Sequence, residues 1–268
     1  MPETILDTIV EDAAADLIQR KRERPLSMLE SMPGFDRATL SLGSALGGES
    51  LSVIAELKKT SPSRGPLRDN FYVDVIARSY SAAGAHAISV LTETNHFEGS
   101  LSNLEMVRGS VELPILRKDF LVDPYQLAEA RAYGADAVLL IATLLDRNHL
   151  AEMLSAAKEL DLNCLVELYD ESELDRIDLD QISILGVNNR NLHTFDVDIK
   201  RAPELLGRVP KNIVHVAESG LSSGHDLAEM QRQGIDAVLI WEALLINSDP
   251  CAALTGLLND YKKCLAEL

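Results

Sequence analysis

Three segments of this chain are near-copies of one another: Gly84-Ala-His-Ala-Ile-Ser-Val-Leu91, Gly134-Ala-Asp-Ala-Val-Leu-Leu-Ile141 and Gly234-Ile-Asp-Ala-Val-Leu-Ile-Trp241. In each, a glycine suited to ending a helix in the left-handed conformation runs straight into an apolar stretch too continuous for a strand with one wet face. The glycines stand 50 and then 100 residues apart, which matches about two and four strand–helix units of ordinary length.

Extending that frame along the chain gives eight β-branched or Leu-rich runs, at 51–59, 85–92, 113–120, 136–143, 163–168, 182–190, 212–219 and 237–241. Between them, 73–83, 124–133, 147–160 and 222–233 carry apolar residues at helical spacing with charges on the other face. Asp123-Pro124 and Ser222 read as helix caps. Alternation of buried strands with crossover helices predicts a (β/α)8 TIM barrel with an N-terminal helical extension. The reading is of one domain over 1–268, in which 1–50 supply one or two extra helices packed on the barrel.

Composition narrows the partners. Apolar residues at 46% and charged residues at 25% are ordinary for a globular chain. A net charge of -17 repels polyphosphate, and no basic patch offsets it, so nucleic acid is not expected. A small phosphorylated substrate remains compatible, because backbone N–H groups and one or two lysines can dominate the field inside a pocket. Cys164, Cys251 and Cys264 have neither metal-ligand spacing nor an even-numbered framework, which suits a reducing cytoplasm. No stretch is long and apolar enough to span a bilayer, and the first two dozen residues lack a signal peptide's apolar core, so no membrane partner is expected.

In such a barrel the C-terminal ends of the strands form one rim, where catalytic groups sit. Five runs end in polar residues: Glu56 and Lys58; Lys118 and Asp119; Glu167; Asn188, Asn189 and Arg190; Glu218 and Ser219. Residues two apart on a strand share a face, so Glu56 with Lys58, and Asn188 with Arg190, can converge inward. Charges there are costly unless paired, which leaves a structural ion-pair network or an acid–base site.

The run Ile54-Ala-Glu-Leu-Lys-Lys-Thr-Ser-Pro-Ser63-Arg-Gly65 resembles the signature of the indole-3-glycerol-phosphate synthases. Phe97-Glu-Gly-Ser100, Leu116-Arg-Lys-Asp-Phe120, Leu165-Val-Glu167, Gly186-Val-Asn-Asn-Arg-Asn-Leu192 and Ala217-Glu-Ser-Gly220 resemble its later blocks in order. The resemblance spans nearly the whole chain. It implies a carboxy-lyase of tryptophan biosynthesis that needs no cofactor and no metal. It also implies a monomer or a small homo-oligomer.

By similarity the catalytic residues are Glu56, Lys58, Lys118, Glu167, Asn188 and Glu218. Lys118 is the general acid at the substrate carbonyl and Glu167 its partner, while Glu56 and Lys58 serve carboxylate binding and dehydration. Which lysine donates which proton stays open. Substrate binding falls to Ser61, Arg190, Ser219, Gly220, Trp241 and Glu242, the phosphate lying among Ser61, Gly220 and the turn after strand 8.

One residue departs from the family pattern. Trp241 stands where the family has glycine, and glycine allows positive φ and close backbone approach. Either the indole turns aside and the backbone donor survives, or strain of roughly 1–3 kcal/mol and bulk alter the phosphate site. The second reading opens an alternative, a non-catalytic or altered-ligand relative of the same barrel.

Other polar residues read as structural. His86, His96, His149, His193, His215 and His225 lack metal-ligand spacing. Ser219 lacks the first glycine of a nucleophile elbow. Asp170, Glu171, Glu173, Asp175, Asp178 and Asp180 read as a solvated helix face. Phosphoribosylanthranilate isomerase shares the expected fold but not the strand-1 Glu-x-Lys or the strand-3 Lys-Asp-Phe.

Overall fold

The structure is a computed structural model that describes residues 5–60, 65, 71–191 and 196–267. Ser61, His193 and residues 62–64 and 66–70 lie outside the described residues. Eight parallel strands close into a barrel in sequence order: β1 (Ser52–Leu57), β2 (Ala87–Leu91), β3 (Ile115–Lys118), β4 (Ala137–Ile141), β5 (Asn163–Leu168), β6 (Ile184–Asn188), β7 (Val214–Glu218) and β8 (Ala237–Ile240). All eight expected runs are strands, trimmed by one or two residues at an end where the hydrogen-bonded ladder stops, except β5, which keeps its expected bounds.

Three helices precede the barrel: α1 (Ile5–Glu23), α2 (Leu26–Glu30) and α3 (Leu42–Leu46). The crossovers are α4 (Val73–Ala83), α5 (Leu101–Arg108), α6 (Pro124–Ala132), α7 (Arg147–Glu159), α8 (Glu171–Leu174), α9 (Arg201–Leu206) and α10 (Gly224–Arg232). A short α11 (Glu242–Leu245) and the long α12 (Pro250–Glu267) end the chain. Gly84, Gly134 and Gly234 have φ of 98°, 92° and 82°, the left-handed turn their repeat predicted.

Helical spacing missed α5, α9 and α12, and three details differ from expectation. The extension forms three helices rather than one or two. Asp123 caps α6 with Pro124 at its first position, but the cap of α10 falls one residue later than expected, on Ser223 rather than Ser222. The acidic run is not one solvated face. Helix α8 spans four residues, and Glu173 turns inward to accept from Thr143 Oγ1 (2.5 Å), Tyr169 N (2.7 Å) and Asp170 N (3.1 Å).

Two apolar cores result. One lies between the sheet and the helices; the other fills the barrel with residues such as Ile54, Leu116, Leu139, Leu165 and Leu239. Leu42 and Leu46 of α3 join the inner core at the strands' N-terminal end, where Leu42 N donates to Asn163 Oδ1 (2.7 Å) at the start of β5. The extension therefore plugs the bottom of the barrel.

Asp136, fully buried just before β4, fastens that end. It accepts from Arg37 Nη2 (2.6 Å), Leu40 N (2.8 Å), Arg108 Nη1 (2.8 Å) and Ile115 N (2.9 Å). At the opposite end α1 lies across the mouth. Tyr125 Oη donates to the carbonyls of Arg20 (3.1 Å) and Arg24 (2.6 Å), and Arg20 Nε stands 3.2 Å from Glu129 Oε1.

Candidate active site

Parallel strands present their C-terminal ends to one rim, and the polar strand ends meet there. Glu56, Lys58, Lys118, Glu167, Asn188, Arg190, Glu218, Ser219 and Trp241 line one pocket. An adjoining cavity shares Arg190, Ser219 and Trp241 and adds Gly220 and Glu242. Of the expected catalytic and substrate-binding residues, only Ser61 falls outside the described chain.

Lys118 ends β3 at the centre of the charge cluster. Its Nζ donates to Glu167 Oε2 at 3.4 Å and stands 3.6 Å from Glu218 Oε2. Burial disfavours the ammonium, but Glu167, Glu218 and Glu56 outweigh burial and hold its pKa above the ordinary lysine value. Lys118 stays charged.

Glu218 is pushed towards its neutral form. Burial first, and then Glu167 beside it, raise its carboxyl well above the ordinary range against the pull of Lys118. Among the described residues no N–H or hydroxyl donates to either of its oxygens. Gly186 supplies the room, since a Cβ there would meet Glu218 Oε1 at 2.5 Å. The strand ends thus place a carboxyl that favours its protonated form beside a carboxylate and a fixed cation.

Lys58 differs from Lys118. Burial, with Lys118 and Arg190 nearby, lowers its pKa to about 8 against the opposing pull of Glu56 and Glu167. Its Nζ is 3.9 Å from Glu56 Oε1, whose Oε2 accepts from Ser89 Oγ at 3.2 Å. Arg190, which follows β6, has its backbone N–H held by Asn188 Oδ1 (3.0 Å) and its Nη2 at 3.9 Å from Glu242 Oε2.

Ser219 and Gly220 both take positive φ, 70° and 82°. A Cβ on Gly220 would lie 2.3 Å from Val197 Cγ1, so the turn after β7 requires glycine. Trp241 does not take the glycine conformation. Its φ is -134°, so the positive-φ strain that one reading of this position raised does not arise. The indole turns into the pocket, with its ring centroid 4.3 Å from Lys58 Nζ.

Sequence reasoning missed two parts of the site. The apolar wall includes Phe97 and Phe120, whose centroids lie 6.0 Å apart, and also Ile5, Leu6 and Ile9 of α1. Nothing local marks α1 as a pocket wall. The second part was legible in principle: Arg117 sits between two inward positions of β3 and must face the helices. There its guanidinium, fully buried, meets Thr92 Oγ1 (3.0 Å), Gln126 O (2.6 Å), Asp119 Oδ2 (3.0 Å) and Glu129 Oε2 (3.4 Å). This network braces the strand end that carries Lys118.

A closed parallel barrel whose strand ends bring two lysines, an arginine and three glutamates into one apolar-walled pocket is the framework of an acid–base enzyme. The family model for indole-3-glycerol phosphate synthase matches residues 6–257. The indole-3-glycerol phosphate synthase of Salinibacter ruber is 51% identical over 266 residues, covering 98% of each chain. That of Dehalococcoides mccartyi is 42% identical over 258 residues, covering 95% of this chain and 100% of the relative. Among solved structures, KGPDC from Streptococcus mutans is similar over 80% of this chain and 99% of its own, with TM-score 0.62 and 14% identity, a likeness of fold alone.

The chain belongs to the indole-3-glycerol phosphate synthase family. It is a carboxy-lyase of tryptophan biosynthesis, and the altered-ligand alternative raised by Trp241 is not favoured.

Proposed function

We propose that this pocket carries out ring closure, decarboxylation and dehydration of 1-(2-carboxyphenylamino)-1-deoxyribulose 5-phosphate to indole-3-glycerol phosphate, with the residue roles as follows. The carboxyl-bearing ring carbon attacks the ketone carbon, forming the new C–C bond, while Lys118 gives a proton to the ketone oxygen. The ring regains its aromaticity by releasing CO2. The hydroxyl then leaves as water, taking a proton from an acid, as a proton is lost from the neighbouring CH2. Lys118 suits the first step because its ammonium is held charged between Glu167 and Glu218.

Lys58 and Arg190 are the cations that face the open pocket and bind the substrate carboxylate, Arg190 with two N–H donors. Glu56 and Glu167 serve the proton transfers of dehydration, and Glu218 in its protonated form supplies a donor. Asn188 orients Arg190 through its backbone. The phosphate lies in the adjoining cavity, by the Ser219-Gly220 turn and the start of α11 at Trp241 and Glu242, with Ser61 contributing from outside the described residues. The protein acts in the cytoplasm as one domain over 1–268, a monomer or a small homo-oligomer.

The observation that carries this reading is Lys118 set within 3.6 Å of two carboxyl groups at the functional end of the barrel. The test is a fluorescence assay for indole-3-glycerol phosphate with purified protein and no added metal or nucleotide. Turnover supports the reading; a folded protein that converts none of the substrate overturns it.

A further inference from the structure

Lys58 is poorly served by ordinary partners. Its side chain is 15% exposed, and among the described residues the nearest carboxylate oxygen is Glu56 Oε1, at 3.9 Å. What the ammonium does have is two aromatic faces, the Trp241 ring at 4.3 Å and the Phe97 ring at 5.2 Å. Both rings are held in place. Trp241 is buried at the start of α11, and Phe97 packs on Phe120. A ring face carries the negative end of the aromatic quadrupole, tryptophan offers the strongest, and the attraction grows when the pair is shielded from water.

We infer that Trp241 and Phe97 are positioning residues for Lys58, clamping its ammonium between two ring faces and keeping it charged and aimed into the pocket. This rests on the reading of Lys58 as a substrate-binding cation. At the position where the family resemblance calls for glycine, this chain places the side chain best able to hold a neighbouring lysine.

Electrostatics gives the clamp its purpose. Glu56 from β1 and Glu167 from β5 favour the charged form of Lys58, while Lys118 from β3 and Arg190 after β6 disfavour it. Glu218 of β7 also lines the pocket, and Glu242 of α11 stands 3.9 Å from Arg190. A further carboxylate would hold the ammonium, but it would also repel a substrate that carries a carboxylate and a phosphate. Ring faces hold the cation with no net charge, and they leave its N–H donors for the substrate.

The test follows the Lys58 titration directly, by NMR of protein carrying 13C-labelled lysine, with Lys58→Arg to assign the signal. Trp241→Leu is expected to lower the midpoint from about 8 by about half a unit to one unit, with a smaller shift in Trp241→Phe and a shift of the same sign in Phe97→Leu. The sign is diagnostic. If Trp241 only filled space, its loss would admit water and raise the midpoint.

An unmoved or raised midpoint in Trp241→Leu overturns the clamp, as does a Trp241→Phe shift as large as that of the leucine variant. Should the leucine variant not fold, Phe97→Leu decides between the two by the same sign. In the pH–rate profile the alkaline limb of kcat/KM should move down with the midpoint. A lowered midpoint in a protein without turnover supports the clamp and sinks the active-site reading. An unmoved midpoint in an active protein does the reverse.

Discussion

The two lysines of one pocket have diverged by environment. Lys118 is ringed by Glu56, Glu167 and Glu218 and stays charged, whereas Lys58 is depressed to about 8 by burial and neighbouring cations. If Lys118 is the general acid, Lys118→Ala lowers kcat by about 10²–10⁴-fold while circular dichroism stays that of a folded protein. Near-normal turnover in that variant would remove Lys118 from its role. Glu218 makes a stability prediction of definite sign. Its folded pKa lies above the unfolded value, so its contribution is fully present at acid pH and is lost as pH rises through the folded pKa. Glu218→Gln carries no charge to bury and should melt higher than the parent at pH 8 while losing turnover. A lower melting temperature there would show that Glu218 is held as a stabilising anion after all.

Among the elements, the strands were the most legible and the extension the least. Period-2 alternation, carried one residue past β1 and two past β6, put Glu56 with Lys58 and Asn188 with Arg190 on the pocket side, as expected. Helices α5, α9 and α12 were missed: α5 and α9 span only eight and six residues, and α12 follows the last strand rather than joining two. The role of α1 has no local signature, since Ile5, Leu6 and Ile9 look like any amphipathic face until the helix is laid across the mouth. With that wall in place, the double variant Leu6→Ala/Ile9→Ala should raise KM several-fold and change kcat less, because it removes apolar wall rather than acid–base groups. Steady-state kinetics check this. A fall in kcat at unchanged KM would move α1 from binding to chemistry.

For the molecule as a whole, the extension packs against both ends of the barrel, with Leu42 and Leu46 of α3 in the inner core and Ile5, Leu6 and Ile9 of α1 on the pocket wall. Asp136 joins Arg37 and Leu40 of the extension to Arg108 of α5 and to the start of β3. Truncating it leaves two arginines without their buried partner. Asp136→Ala should therefore destabilise by about 3–5 kcal/mol, read from urea unfolding, and a loss under about 1 kcal/mol would show that water or rearranged partners replace it.

Residue order alone determined the eight strands, four of the helices between them, the rim where the polar strand ends meet and nearly every polar group on it. These follow from local rules: strand period, glycine at positive φ, and the common direction of parallel strands. Tertiary structure alone decided which way the Trp241 indole points, that Glu173 turns inward from an acidic run, that α1 and α3 close opposite ends, and that two lysines of one pocket have pKa values pushed in opposite directions. Each of these depends on groups brought together from distant parts of the chain, as when Lys118 meets Glu167 and Glu218 or Leu42 meets Asn163. Burial and Coulomb interaction act on such neighbours in space, and a strand's own residues do not specify them.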